Sequence, residues 1–163
     1  MGTTTMANGA KFERKWLAHF IHNGSGYQRL GKDLEELAVE MNADSESKKN
    51  ILGESSTRVS GYDPSYSVDS FYAEYGDPLF EKMSNIINQR STGSELETTV
   101  VDVLMGSDGA IIWAYQEDAV IIPQSIGGDT SGVQIPFEVH YNGNRKDVTA
   151  KVSIENGVLT VSA

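Results

Sequence analysis

The chain has 163 residues, a formal net charge of −10 and no cysteine, which allows one domain with a sizeable core and excludes disulfides and thiolate metal sites. The acidic balance argues against a protein that grips nucleic acid through its phosphates, because that needs a basic surface. With 39% hydrophobic and 22% charged residues the composition is that of a soluble globular chain, no apolar run approaches the roughly 20 residues of a membrane span, and the N-terminus lacks the apolar stretch of a signal peptide, so a cytoplasmic setting is expected.

Residues 1–12 are polar and glycine-containing and read as a flexible arm preceding a single β domain over 13–163. Met6 offers a second start, which would make the first five residues a dispensable leader. In ERKWLAHFIH (13–22), Trp16, Ala18 and Phe20 alternate with Leu17, His19 and Ile21, which favours a strand buried on both faces over a short helix. NGSG at 23–26 is a turn, and Tyr27–Leu30 restarts the extended chain. LEELAVEM (34–41) is made of good helix formers apart from valine, yet it also alternates. Leu37, Val39 and Met41 point one way and Glu36, Ala38 and Glu40 the other. SSTRVSG (55–61) is the expected partner strand, with a long polar loop at 42–54 between them that carries Ile51 and Leu52. Loops of that length without structure of their own are usually functional or disordered.

The tyrosine-rich stretch YDPSYSVDSFYAEY (62–75) runs extended into the strongest helix signal of the chain. Asp77 suits an N-cap and Pro78 the first helical position. Leu79, Phe80, Met83, Ile86 and Ile87 fall on one apolar stripe, Arg90 lies in the last turn, and Gly93 ends the helix. Strands follow at Leu96–Met105, Ala110–Ile122 with Pro123 at its end, and Val133–Tyr141. NGN (142–144) reads as a turn before a strand from Lys146, and Asn156-Gly157 is a hairpin signal between alternating apolar residues.

Chemistry-bearing motifs are sparse. His19 and His22 are three apart, without a third ligand at useful spacing, and His140 stands by itself in a strand. No nucleophile elbow, phosphate loop or dinucleotide glycine pattern occurs. Asp102, Asp108, Glu117 and Asp118 supply acids for a hydrolase reading. Tyr62, Tyr66, Tyr72 and Trp113 supply aromatics for a carbohydrate- or ligand-binding β-sandwich module. The profile of an acidic antiparallel β domain with one helix and one long polar loop suits an assembly protein better than an enzyme, and no cofactor is implied.

The order of parts in GYDPSYSVDSFYAEYGDPLFEKMSNIINQRSTGSE (61–95) resembles the corresponding region of the tail tube (major tail) proteins of long-tailed phages. An extended aromatic and acidic stretch with Asp63-Pro64 and Tyr72 leads into the Gly76-Asp77-Pro78-Leu79 helix entry, followed by strands such as TTVVDVLM. The resemblance spans roughly residues 7–163. It implies two packed antiparallel sheets, a β-sandwich or barrel-like fold, with a helix on the side. It further implies hexameric rings of self-associated subunits stacked into a hollow tube that conducts DNA into the host. Implied partners are further copies, a tail terminator, a tape measure, baseplate or tip proteins, and passing DNA held without specific binding. The implied setting is the virion tail, assembled in a bacterial cytoplasm. On this resemblance Glu36, Ala38 and Glu40, with Glu54, Ser56 and Arg58, line the lumen, Arg58 departing from an acidic lining. Asp44, Glu46, Lys48, Lys49, Ile51 and Leu52 form the ring-stacking loop, and the helix stripe packs over the sandwich.

Overall fold

The computed structural model of the chain describes residues 6–32, 34 and 36–162. Among these, the strands are β1 (Leu17–His22), β2 (Tyr27–Leu30), β3 (Ala43–Lys49), β4 (Ser55–Tyr62), β5 (Ser65–Val68), β6 (Glu97–Met105), β7 (Ile111–Pro123), β8 (Gly127–Asp129), β9 (Gly132–Gln134), β10 (Phe137–Asp147), β11 (Val152–Glu155) and β12 (Val158–Val161), with the helix α1 (Pro78–Gln89) between β5 and β6. Eight strands form one antiparallel sheet in the order β11-β12-β2-β1-β6-β7-β10-β5, while β3–β4 and β8–β9 form separate two-stranded ribbons. Residues 1–5 of the expected arm lie outside the described residues.

Strand β1 is buried on both faces, and the polar residue of LAHFI, His19, is buried with Ala18, Phe20 and Ile21. Its Ile21 joins Val100, Ile121, Phe137, Val139, Tyr66 and the helix in one apolar cluster. Its Ala18 and Phe20 join Val101, Val103, Ala114, Val148 and Leu159 in a second. Leu159 belongs to β12, which is separated from β6 by two strands, β2 and β1, in the sheet order, so the sheet curls over and packs on itself. Gln116 on β7 donates 3.0 Å to the Tyr27 hydroxyl on β2 across the same fold-over. The architecture is therefore mainly β, a sandwich of antiparallel layers with one helix on its side.

The helix starts where capping chemistry places it. The Asp77 carboxylate accepts from the Leu79 N–H at 3.1 Å, and Pro78 occupies the first turn, where its missing N–H costs nothing. Leu79, Met83 and Ile86 are buried, and Phe80 and Ile87 are partly buried against the same cluster. The helix ends at Arg90, not at Gly93. Arg90 takes the left-handed conformation (φ 51°, ψ 47°), and the Ser91 N–H reaches back to the Ile86 carbonyl at 3.1 Å. Gly93 opens a short 3-10 turn instead.

Four other expectations are corrected. The segment 42–54 is not a loop. Ser45, Ser47 and Lys49 pair with Val59, Thr57 and Ser55, so β3 and β4 make a continuous ribbon with a tight turn at its tip. Both faces of that ribbon are polar, so a period-two pattern carries no signal there. Residues 36–39 are extended but not laddered to 55–61, although Glu40 does bridge Ser65. Val133–Tyr141 is broken at Ile135-Pro136, because proline cannot donate to a ladder. NGN at 142–144 is no turn, since β10 continues through it with two register shifts. Gly143 (φ 99°) and Asn144 (φ 59°) adopt the positive φ such bulges need. Asn156 (φ 51°) and Gly157 (φ 77°) do form the expected tight hairpin turn.

Because Arg90 holds a backbone conformation that disfavours a Cβ, Arg90→Gly is expected to stabilise the protein by about 0.5–1 kcal/mol. Urea unfolding would measure it.

Candidate assembly surface

The β3–β4 ribbon is solvent-exposed along nearly its whole length. Its stability is local. Ser47 and Thr57 hydroxyls meet at 3.1 Å, and Ser60 donates to the Asp44 carboxylate at 3.0 Å. At the tip, Asn50 fixes the turn: its side-chain oxygen accepts from the N–H groups of Leu52 (2.9 Å) and Glu54 (3.0 Å). Gly53 (φ 81°) completes it. The turn presents Ile51 and Leu52 at 102% and 77% exposure. Fixed, solvated aliphatic side chains on a polar arm mark a contact surface.

Ladder register places the candidate residues. Ser56 stands opposite Lys48, and Arg58 opposite Glu46, so these four share one ribbon face. The expected separation between lumen row and stacking loop thus does not follow separate elements, and Arg58 has an acid directly across from it. Asp44 sits near the ribbon root, Lys49 pairs with Ser55 beside the turn, and Glu54 closes the turn. Glu36, Ala38 and Glu40 are exposed while Leu37 is buried and Val39 partly so, as the alternation predicts, but Met41, expected on the same face as Leu37 and Val39, is 52% exposed.

At the ribbon root lies a groove of about 780 Å³, walled by Leu37, Val39, Met41, Tyr62, Pro64 and Trp113. Its floor is a buried polar cluster. His19 Nδ1 donates to the Asp102 carboxylate at 2.7 Å, and the Tyr141 hydroxyl donates to the other carboxylate oxygen. Strand alternation places His19, Asp102 and Tyr141 on the side of the sheet that carries Ile21 and Val100. Burial, reinforced by the Asp102 charge, pushes the phenols of Tyr141 and Tyr66 well up, so Tyr141 stays a donor at any physiological pH. His19 Nε2 and the Tyr66 hydroxyl are buried with no hydrogen-bond partner among the described residues. Sequence reasoning named these residues separately but missed their convergence, which depends on the β1–β6 register of His19 opposite Asp102.

The rival sites come apart. Glu117 lines the same groove, but its two oxygens accept from Arg145 and from the Gly143 N–H, both at 3.1 Å. Asp102 is committed to His19 and Tyr141, Asp118 faces the opposite side near Asn144, and Asp108 caps the Ala110 N–H in a turn. Of the four aromatics proposed for a flat platform, Tyr66 is in the core. Tyr62 and Trp113 line the groove, and Tyr72 bridges Gln134 elsewhere. His22 packs edge-on against Tyr27, apart from His19, and His140 lies 3.5 Å from Glu138. Among the described residues no cluster of three or more His, Asp or Glu has metal-site geometry.

No family model and no curated protein matches the chain. Among solved structures its fold is similar to the sheath/tube terminator of an extracellular contractile injection system (PVC) in the extended state, with TM-score 0.50 and 8% identity over 86% of this chain and 99% of that one. Weaker superpositions are found with the tube-terminating cap of the anti-feeding prophage (TM-score 0.49, 10% identity, 87% and 93% covered) and with a chain of its baseplate (0.46, 14%, 90% and 99%). The likeness is one of fold, and the two lower scores add nothing to it.

The buried cluster leads to two predictions. Tyr141→Phe should cost about 1.5–3 kcal/mol, because it removes a hydrogen bond to a buried charge, whereas Tyr66→Phe should shift stability by no more than about 0.5 kcal/mol. Equilibrium denaturation separates them. Since the folded phenol pKa values are raised above their unfolded value of 10.0, the stability they confer is complete below pH 10 and lost as pH rises beyond it. Tyr66→Phe should therefore flatten the alkaline end of the stability profile.

Proposed function

We propose that the chain is a structural, non-enzymatic subunit of a phage-tail-like particle that assembles as hexameric rings stacked into a hollow tube. The observation that carries this reading is the β3–β4 ribbon. A two-stranded ribbon is marginal in water when nothing covers it, and this one ends in a fixed apolar tip with no packing role in its own subunit. Such an arm has a use when a neighbouring subunit receives it. The fold likeness to a tail-particle terminator, together with the order of parts in residues 61–95, supports the tail setting.

In this reading the exposed Glu36, Ala38 and Glu40 and the ribbon face of Ser56 and Arg58 border the lumen, with Glu54 beside the tip. A net acidic wall lets DNA slide, because phosphates find no cationic grip. The tip residues Ile51 and Leu52, with Asp44, Glu46, Lys48 and Lys49 behind them, face the adjoining ring. Terminator, tape measure and baseplate proteins complete the particle, which is built in the bacterial cytoplasm.

A second reading, a terminator ring that caps a tube without stacking, is favoured by the fold likeness at TM-score 0.50. Negative-stain microscopy of concentrated protein, paired with sedimentation, distinguishes the two. Hollow rods support the tube subunit, and single six-fold rings that never stack support the terminator. Monomers at every salt and protein concentration would contradict both.

A further inference from the structure

We infer that the groove at the ribbon root is the receptor for the ribbon tip of a second copy, so that one subunit inserts Ile51 and Leu52 between the 37–41 segment and Trp113 of the next. This rests on the assembly reading above and names the contact that would carry it.

Three features of the molecule point to this occupant. The first is apolar match. The groove is walled by Leu37, Val39, Met41, Tyr62, Pro64 and Trp113, with Met41 and Tyr62 exposed, and the tip offers two fully solvated aliphatic side chains on a turn already locked by Asn50. The second is charge. Lys48 and Lys49 stand behind the tip, whereas exposed Glu36, Glu40 and Asp63 adjoin the wall residues Leu37, Met41 and Tyr62 in the chain; of the two arginines that line the groove, Arg145 is paired with Glu117 and Arg14 donates to the Leu37 carbonyl. The third is reach. Seven residues of β3 at about 3.3 Å each carry the tip roughly 23 Å from the root. Met41 lies two residues before the ribbon and Tyr62 ends it, so the tip of the paired ladder points away from its own groove.

Tip and groove are different patches of one surface. Their contact is therefore head-to-tail, and it propagates from copy to copy instead of closing after two. This polarity gives a test that a symmetric tip-to-tip contact would fail. One variant carries Ile51→Asp with Leu52→Asp, and the other Met41→Glu with Tyr62→Glu. All four positions are exposed, so each variant should keep the wild-type melting temperature.

Each variant by itself should need about 100-fold or more protein to propagate the contact. Mixed in equal amounts, the intact tip of one should enter the intact groove of the other. Sedimentation should then show species joined across a single junction and no longer. If wild-type protein assembles and the groove variant assembles equally well, or if the two impaired variants fail to join on mixing, the docking site is wrong while the assembly reading stands. If wild-type protein never assembles, the assembly reading fails and this contact with it.

Discussion

Everything in this fold is organised around the apolarity of β1 and β6 on both faces. Phe20 and Ile21 are adjacent in sequence and point to opposite cores, and Val100 and Val101 do the same across the ladder. A strand pair of this kind must be covered twice. Burying each such side chain is worth about 1.5–3 kcal/mol, so the sheet gains by curling its β11–β12 end over one face while α1, β5 and the 37–39 segment cover the other. The helix is a cover for one side of a doubly apolar sheet, and its narrow stripe of Leu79, Met83 and Ile86 is as wide as that task requires.

The same demand explains the placement of charge. A carboxylate at position 102 lies in the middle of a buried strand, where it is tolerated because His19 and Tyr141 both donate to it. Glu117 is likewise buried and is satisfied by the Gly143 bulge and Arg145. The bulge in β10 is thus tied to a specific buried acid, which is a reason for strand pairing to be interrupted there. The polar cluster forms a floor, and the extended 37–41 segment a wall, of a groove opening beside the ribbon that projects from the body.

Much of this was legible in the sequence, for physical reasons that differ by element. The helix was readable because Asp77, Pro78 and a 3.6-residue apolar period all state the same thing locally. The double burial of β1 was readable from an apolar run too short for a core helix. The Asn156-Gly157 hairpin was readable from turn chemistry. The ribbon was not, because ADSESKK and SSTRVSGY have no apolar face and pair only through backbone bonds and short hydroxyl contacts. Nor was the Gly143–Asn144 bulge, since asparagine and glycine signal positive φ without saying whether a chain reverses or bulges. The groove was hidden for another reason: its members, from Leu37 to Trp113, meet only through tertiary register.

In the proposed assembly the ribbon is an arm whose partner lies outside its own subunit. Amide hydrogen exchange, compared between dilute subunits and the sedimenting assembled fraction, tests that directly. The amides of β3, the Asn50–Gly53 turn and β4 should exchange quickly in dilute protein and become strongly protected on assembly, while those of β6 and β7 are slow in both. Ribbon amides that exchange equally fast in assembled particles would contradict it.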